Sequence, residues 1–320
     1  MLQFAANILD LGGNVCVMVG MNSALALTPS QVKAALANAP ARQPFSGVLM
    51  ARPDFFAVES AINPWMKDAS GNLNQVDRVR ALAQWEALKA AYEAIKLNVE
   101  VIEAGDKLPD FCFCANQSFP FHDSHGRPGV ILSRMRSESR APEVPYFERW
   151  FSQRGWRLHS LSAQVPMFEG MGDAIWHPTK RVVFGGIGPR SDEAAWPEVA
   201  RTADLAVIPL RLADPRFYHL DTCLACLDAQ TALWIPQALD AASRERMKAS
   251  FANLIEVPGP DAANFACNAH CPDQKHVIMQ KGSSATAGEL RKRGFSVIEV
   301  ETGEFLKSGG SVFCLKLELP

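Results

Sequence analysis

The feature that most constrains the fold of this chain is a serial alternation of apolar strand patterns with single helical patterns. Residues 75–98 carry apolar side chains at three- and four-residue spacing without proline or glycine, which predicts an amphipathic helix. Strand patterns flank it at 45–56 and 99–104. Similar segments recur at roughly fifty to sixty residues, which favours repeated units of two strands, a helix and a strand over a doubly wound sheet.

The same alternation continues to the C-terminus. Pro197 marks a kink or break in one of the predicted helices. The stretch GGIGPR follows a strand pattern but lacks the dinucleotide-binding fingerprint, so no phosphate loop is predicted. Strands are predicted at 110–116, 129–135, 181–188, 205–212, 275–280, 295–301 and 310–319, a hairpin at 219–236, and helices at 145–156, 192–203, 243–254 and 284–294.

The N-terminal segment stands apart from this pattern. It is apolar, but no Lys or Arg precedes Lys33 and Asp10 interrupts the apolar run, so a secretory signal is not favoured. The uninterrupted stretch is also too short to cross a bilayer. Because no long linker divides the remainder, we expect an N-terminal leader of unknown structure at 1–45 and a single catalytic domain at 46–320.

Charge and cysteine content narrow the class of protein. The net charge of -2 gives no basic footprint for nucleic acid or for an anionic membrane, so neither is expected as a partner. Eight cysteines in 320 residues are sparse, and most lie in apolar surroundings. That usage is typical of reduced, buried thiols, and we therefore expect a cytoplasmic protein.

Polar residues cluster at the ends of apolar strand patterns in five places. Taken singly, each cluster has an ordinary structural explanation, such as a turn residue or a cysteine packed in a core. The alternation around residue 220 predicts that the histidine and the aspartate there share one face. The clusters contain Asn63; Asn116; Glu169 with Asp173; His219 with Asp221; and Cys314, which follows Gly309 and Gly310.

Together these residue types favour one chemistry. A cysteine with a histidine elsewhere in the chain is a candidate nucleophile and acid/base pair. Several carboxylates beside them suit a planar cation such as guanidinium, which offers five N–H donors. The alternative is a zinc site formed by four cysteines. Two of them, Cys223 and Cys226, are three residues apart in a predicted strand and therefore face opposite sides, so we expect no metal. That site would use Cys223, Cys226, Cys267 and Cys271.

The stretches INPWM, FCANQS, FEGMGD, GPRSD, DPRFYHLDTCL and LKSGGSVFCLKL, taken in order from about Val48 to Leu319, resemble the guanidine-modifying enzymes of the pentein superfamily. This superfamily includes amidinotransferases, arginine deiminases, dimethylargininases and arginine dihydrolases. The resemblance implies an α/β fold, a five-bladed propeller with pseudo-fivefold symmetry and a site on its axis. It also implies that the two glycines bend the end of the last blade and aim Cys314 into the axial cavity.

The resemblance further implies a role for each candidate residue, with no cofactor. Cys314 is the nucleophile that forms an S-alkylthiouronium intermediate, and His219 is the acid/base. The stretch NQS replaces the family's NAG, which brings Gln117 and Ser118 close to the site, and EGMGD is one residue longer than the deiminase motif. The resemblance also implies that Glu169 orients His219 or binds the guanidinium and that Asp221 binds the guanidinium from the other side; the division of roles between Glu169 and Asp173 is open. Arg140 and Arg190 would bind a substrate α-carboxylate. Asn63 and Asn116 lie in the stretches that assist a second hydrolysis in the dihydrolases.

Three functions follow from these implications. The first is hydrolysis of the guanidino group of arginine or of a methylated arginine. The second is amidino transfer to an amine acceptor, which shares the same intermediate. The third is a non-catalytic pentein that binds a partner, although such a protein needs neither Cys314 nor His219. The expected partner is a small guanidino compound, and a homo-oligomer is left open.

Overall fold

A computed structural model describes residues 27–320 of the chain. Helices and strands alternate along it, as the sequence pattern predicts. The helices are α1 (Pro29–Asn38), α2 (Arg78–Ala94), α3 (Val144–Ser152), α4 (Gly170–Asp173), α5 (Ala195–Ala203), α6 (Ala241–Ser250), α7 (Gly259–Ala263), α8 (Ser284–Lys292) and α9 (Gly303–Leu306). The strands are β1 (Gly47–Ala51), β2 (Asn98–Ile102), β3 (Ser118–His122), β4 (Pro128–Leu132), β5 (Arg157–His159), β6 (Ala174–Trp176), β7 (Val182–Ile187), β8 (Ala206–Arg211), β9 (Leu224–Cys226), β10 (Thr231–Trp234), β11 (Asn253–Glu256), β12 (His276–Gln280), β13 (Ser296–Val300) and β14 (Leu317–Leu319).

The strands form five small sheets that share one plan. In three of them, the first strand is antiparallel to the second, the second is parallel to the third, and a helix joins the parallel pair. These units are β3-β4-α3-β5, β6-β7-α5-β8 and β9-β10-α6-β11. The repeated unit of two strands, a helix and a strand that the sequence predicts is therefore present.

The two ends of the described chain complete one of these units. Strand β14 runs antiparallel to β1, with Gly47 opposite Leu319, and β1 is parallel to β2 across α2. The segment that follows Cys314 thus supplies the first strand of the first unit. This pairing fixes the turn that carries Cys314 against the core.

The fifth unit has only two full strands, β12 and β13, joined by α8. A single antiparallel bridge between His270 and Ile278 occupies the place that a first strand holds in the other units. The residues just before His270 therefore correspond in position to the segments that precede β3, β6, β9 and β14.

Helix α2 shows why the helical prediction succeeded. The Asp77 side chain caps it by accepting from the Arg80 N–H, and the buried side chains of Ala81, Trp85 and Leu88 lie on one face. In helix α5, Pro197 falls in the first turn, where a missing N–H costs little, so it causes no break.

One predicted strand is wrong, and another is predicted too long. Residues 110–116 form consecutive turns, and the strand begins only at Ser118. Residues 310–316 are also turns, and only Leu317–Leu319 pair as a strand. In the first segment Phe111, Cys112 and Phe113 are all buried, so the side chains do not alternate between core and solvent and a two-residue period cannot identify a strand.

The part of the predicted leader that the structure describes packs on the domain. Helix α1 begins at a capping box formed by Thr28 and Gln31, and its Val32 is fully buried. The Arg246 Nε–H donates to the Leu27 carbonyl at 3.0 Å. The rest of the predicted leader, residues 1–26, lies outside the described residues. From residue 27 onward, no helix combines the length and the apolar character needed to cross a membrane.

Candidate active site

Five of the nine predicted site residues line one narrow cavity. Four more predicted residues, Glu169, Asp173, His219 and Asp221, lie behind its wall and are connected to it by hydrogen bonds described below. The lining residues are Ile62, Asn63, Met66, Asp110, Phe113, Asn116, Arg140, Arg190, Tyr218, Ser308 and Cys314.

The repeated units explain how residues so far apart in sequence meet. Asn116 precedes β3, Asp173 directly precedes β6, Asp221 precedes β9 and Cys314 precedes β14. Each therefore leads into the first strand of a unit. Because the units share one plan, the same end of each contributes a polar side chain to a common centre.

Cys314 lies in a turn that follows Gly309 and Gly310, and at both positions a larger residue would be unfavourable. Gly309 has a φ of 84°, in the left-handed region. A Cβ on Gly310 would lie 2.3 Å from the Phe113 ring, which leaves no room for a side chain. The glycines thus allow the turn to pack beneath Phe113 and to bring Cys314 to the cavity.

The Cys314 thiol donates a hydrogen bond to Asp221 Oδ2 at 3.1 Å, and the cysteine is only 2% exposed. Burial and the neighbouring Asp221 carboxylate raise the pKa of the Cys314 thiol well above its usual value. Burial also raises the pKa of Asp221 to about 7. Without a bound cation, the sulfur is therefore held as a neutral thiol.

His219 is held by a carboxylate. Its Nε2 lies 2.9 Å from Glu169 Oε2, and Arg190 Nη1 donates to the same oxygen at 3.1 Å. Burial alone would raise the pKa of Glu169, but the hydrogen bond with His219 and the charge of Arg190 lower it to about 2. Glu169 is therefore ionised at neutral pH and orients the imidazole.

The prediction that His219 and Asp221 share one face of a strand is wrong. A short 3-10 turn at Leu220–Thr222 lies between β8 and β9 and separates their directions. His219 contacts Glu169, whereas Asp221 contacts Cys314. The turn therefore directs the His219 imidazole toward Glu169 and the Asp221 carboxylate toward Cys314.

Asp173 supports this turn. Its Oδ1 accepts from the Leu220 N–H at 3.0 Å and its Oδ2 accepts from the Ser191 hydroxyl at 2.6 Å. Burial raises the pKa of Asp173 to about 6. Both carboxylate oxygens of Asp173 bond to protein groups, so Asp173 stabilises the turn. The hydrogen bond to the His219 ring is made by Glu169 instead.

Asn116 presents an unpartnered donor. Arg140 Nη1 donates to Asn116 Oδ1 at 2.8 Å, which identifies that atom as the oxygen because an arginine can only donate. The Asn116 Nδ2 is buried and has no partner among the described residues. A Cβ on Gly172 would lie 2.3 Å from this Nδ2 and 3.2 Å from the His219 ring, so the amide and the imidazole meet at Gly172.

Arg140 is largely committed to the protein. It pairs with the buried Glu143, with Nη2 2.9 Å from Glu143 Oε2, and also donates to the Phe113 carbonyl. Burial by itself would lower the pKa of Arg140, but the charges of Glu143 and Asp110 raise it. Gln117 Nε2 donates to Glu143, so Gln117 reinforces this pair and is not part of the cavity lining.

Asn63 also has structural partners. Its Oδ1 caps a short turn by accepting from the Trp65 N–H, and its Nδ2 donates to the Ser308 carbonyl. Arg190 uses Nη2 to donate to the Ile62 carbonyl and lies over the Tyr218 ring. These contacts hold the segment around residue 63 over the cavity and close one side of it.

The sequence patterns missed two residues of the site. Asp110 lines the cavity, and burial raises the pKa of its carboxyl against the opposing charge of Arg140. Asn268 contacts both Cys314 and Asp221. Asp110 has no distinguishing motif, and Asn268 precedes the His270 bridge of the unit that lacks a regular first strand.

The four-cysteine zinc alternative finds no support in the geometry. Among residues 27–320, no group of three or more His, Cys, Asp or Glu side chains is arranged to hold a metal ion. Cys223 and Cys267 are fully buried, and burial raises the pKa of each thiol. They are packed in the core as free thiols.

Comparisons with known proteins agree with this fold and site. Residues 52–319 match the family described as eukaryotic N,N dimethylarginine dimethylhydrolase. A dimethylarginine dimethylaminohydrolase of Mycobacterium tuberculosis is 37% identical over 295 residues, which cover 92% of this chain and 93% of that protein. The bifunctional arginine dihydrolase/ornithine cyclodeaminase AgrE of Nostoc is 38% identical over 275 residues, 85% of this chain.

Among solved structures, the product-bound N-terminal domain of ArgZ, a cyanobacterial arginine dihydrolase, matches with a TM-score of 0.79 at 36% identity. The match covers 85% of this chain and 97% of that domain. A citrulline complex of the Pseudomonas aeruginosa dimethylarginine dimethylaminohydrolase matches with a TM-score of 0.72 at 21% identity, which shows the fold alone.

The mixed α/β fold and the buried cysteine site define a member of the guanidine-modifying pentein superfamily, and that prediction is confirmed. The relatives named above carry the names dimethylarginine dimethylaminohydrolase and arginine dihydrolase, which confirms the prediction of an enzyme. The chain belongs to the dimethylarginine dimethylaminohydrolase family. It covers only 37% of the length of AgrE, because AgrE is much longer than the matched region.

Proposed function

We propose that this protein hydrolyses a C–N bond of the guanidino group of arginine or of a methylated arginine, with Cys314 as the nucleophile. One observation carries the proposal. The Cys314 thiol is buried beside Asp221, whose second oxygen, Oδ1, is buried and has no partner among the described residues. An unpaired buried acceptor is costly, and a guanidinium N–H would satisfy it.

Binding of the cation also activates the thiol. Burial and the Asp221 charge both raise the pKa of Cys314. A guanidinium on Asp221 neutralises the second of these, which favours the thiolate when substrate is present. Cys314 therefore stays a poorly reactive thiol until a guanidinium binds, and binding favours the reactive thiolate. This coupling explains why a carboxylate lies 3.1 Å from the sulfur.

The reaction then follows from the positions of two side chains. The Cys314 thiol gives up its proton, which His219 accepts, and the sulfur attacks the guanidinium carbon. The tetrahedral adduct then loses an amine that takes this proton from His219. The resulting thiouronium is attacked by water, whose proton goes to His219, and the C–S bond breaks to return the thiolate and leave a urea group. Glu169 stays ionised throughout and stabilises the imidazolium.

The substrate's amino-acid end has charged partners in the same cavity. Arg190 and Arg140 line it and would face an α-carboxylate, and Asp110 would face an α-ammonium group. No contact of the Arg190 Nε–H appears among the described residues, so this arginine retains a donor for a ligand. An α-amino acid with a guanidino side chain would place its carboxylate near the arginines and its ammonium group near Asp110.

A second candidate is dihydrolysis, in which the urea group is hydrolysed again to give ornithine. The free Asn116 Nδ2 favours it, because an amide donor can hold a neutral urea oxygen where Cys314 can reach the carbon. The similarity to the ArgZ domain agrees with this reading. Amidino transfer would use the same intermediate with an amine in place of water.

A product assay separates these functions. The protein is incubated with arginine, dimethylarginine and agmatine in parallel, with Cys314→Ser as the control. Citrulline indicates single hydrolysis, ornithine with ammonia indicates dihydrolysis, and turnover only after an amine is added indicates transfer. Absence of any product from all guanidines, with and without amines, would favour the non-catalytic alternative.

Three further expectations accompany this proposal, and they concern the symmetry of the fold, the cellular location and the assembly of the protein. The five sheets suggest blades around one axis with pseudo-fivefold symmetry, because four of them deliver a predicted residue from equivalent segments. The seven cysteines within the described range are all free, which agrees with the expected cytoplasmic location. Assembly into a homo-oligomer stays a prediction.

A further inference from the structure

We infer that Asn268 is a further residue of this site, one that fixes the turn carrying Cys314 and donates a hydrogen bond to its sulfur. The inference rests on the proposed function, because it assigns Asn268 to the nucleophile of that reaction. Asn268 is fully buried and precedes the His270 bridge of the fifth unit. It is therefore the fifth unit's contribution to the centre where the other units place their polar residues.

The contacts of the Asn268 amide are complete. Its Nδ2 donates to Cys314 Sγ at 3.1 Å and to the Asp221 carbonyl at 3.1 Å, which uses both N–H groups. Its Oδ1 accepts from the backbone N–H groups of Ser311, Phe313 and Cys314 at 3.1, 3.0 and 3.2 Å. Three backbone donors around one atom identify it as the oxygen, so Nδ2 is the atom that faces the sulfur.

These contacts join the nucleophile to the residue that would grip the guanidinium. The Cys314 turn and the Asp221 peptide approach from different units, and Asn268 holds both. The backbone carbonyl of Asn268 also accepts from the Phe313 N–H at 3.0 Å. A shift of Asn268 would therefore move the sulfur relative to its carboxylate.

The donor also has an electrostatic effect. An N–H directed at sulfur favours the thiolate over the thiol, and so it opposes the effects of burial and of Asp221. A lysine or arginine in the same place would favour the thiolate more strongly, but it would repel a cationic substrate. A neutral amide stabilises the thiolate without that repulsion, which suits a site for guanidinium.

Other ionisable groups act on the same thiol, and the test must separate Asn268 from them. Asp221 is in direct contact, and Lys316 is buried two residues further along the chain. Groups that line the cavity are Asp110, Arg140, Arg190 and Tyr218, while His219 and Glu169 lie behind the Tyr218 ring. All of these are unchanged when only position 268 is altered.

The test uses two variants. Asn268→Asp keeps the shape and the accepting oxygen but replaces the donor with a charged oxygen, whereas Asn268→Ala removes the donor without adding a charge. The rate of Cys314 alkylation by iodoacetamide is measured against pH without substrate, on the peptide that contains Cys314. We expect the midpoint to rise by about one pH unit or more, equivalent to roughly tenfold slower alkylation at a pH below both midpoints. The matched control is Asn264→Asp, because Asn264 donates to Lys281 and Ser283 and not to the sulfur.

An unchanged midpoint in a folded Asn268→Asp protein, checked by circular dichroism and melting temperature, would overturn the inference and leave Asn268 as an anchor of the turn. Asn268→Ala should raise the midpoint by a smaller amount than Asn268→Asp, and this rise reports loss of the donor because the variant adds no charge. Failure of both to fold would count against a role at the sulfur. Alkylation needs no turnover, so its outcome is independent of whether Cys314→Ser retains activity.

Discussion

Replacing Asp221 with asparagine should make Cys314 easier to ionise and yet make the protein a worse catalyst. In the wild type the thiol donates to Asp221 Oδ2 at 3.1 Å, and Oδ1 has no partner among the described residues. One oxygen therefore holds the proton on sulfur, and no protein group in the described chain competes with a ligand for the other. Removing the charge should let the thiol ionise more easily, but it should also weaken binding of the guanidinium.

The structure sets the size of each effect. Two unit charges about 3 Å apart repel by about 5 kcal/mol at an effective dielectric constant of about 20. This is an upper limit, because the pKa of Asp221 is raised to about 7 and its carboxyl is only partly ionised at neutral pH. We expect the pKa of Cys314 to fall by about one unit or more, which corresponds to about 1.4 kcal/mol. Loss of a charge-assisted hydrogen bond should weaken guanidinium binding by about 1.5–3 kcal/mol, or about 10- to 150-fold.

Two assays measure these effects separately. Alkylation of Cys314 against pH, without substrate, reports the thiol pKa, and the concentration of arginine that half-saturates turnover reports binding. Asp261→Asn is the control, since Asp261 is also buried but its carboxylate contacts Thr286. A thiol pKa that stays the same or rises in Asp221→Asn, or an unchanged affinity for guanidines, would refute the reasoning.

Three further predictions concern the surrounding cavity. Glu143→Gln leaves Arg140 as an uncompensated buried charge and should cost about 3–5 kcal/mol in urea unfolding, whereas Glu193→Gln, in an exposed pair, should cost at most about 1 kcal/mol. Arg190→Gln should raise KM for arginine by about tenfold or more and change KM for agmatine far less; a preference of the wild type for agmatine would contradict this role. Asn116→Asp should shift the product of arginine from ornithine toward citrulline, and wild-type protein that makes only citrulline would remove the dihydrolase reading.

The sequence predicted the repeat and most of the site because both leave local signals. The helix at 78–94 has a strong periodic pattern, and the polar residues before β6 and β9 interrupt apolar runs. The short strands β5 and β6 were missed, since three residues carry too little periodicity to identify them. The helix predicted to end at residue 254 also hid β11, which begins at Asn253.

What the sequence could not predict is which polar groups pair with each other. Asn116 and Asn63 are predicted to share one role, yet the Asn116 amide donor has no partner among the described residues, whereas the Asn63 amide caps a turn and donates to the Ser308 carbonyl. Asn268 was missed because CNAHC has no strand pattern around it and the fifth unit lacks a regular first strand. Such pairings depend on contacts between units that are distant in the chain.

The central claim is that Cys314 forms a covalent bond to the guanidino carbon, and acid quenching during turnover tests it most directly. The protein is mixed with arginine or dimethylarginine, stopped in acid within the first turnovers, digested and analysed by mass spectrometry. We predict a thiouronium adduct on the peptide that contains Cys314, and no adduct and no turnover in a folded Cys314→Ser variant. Normal turnover by Cys314→Ser, or an adduct on another cysteine, would contradict the claim.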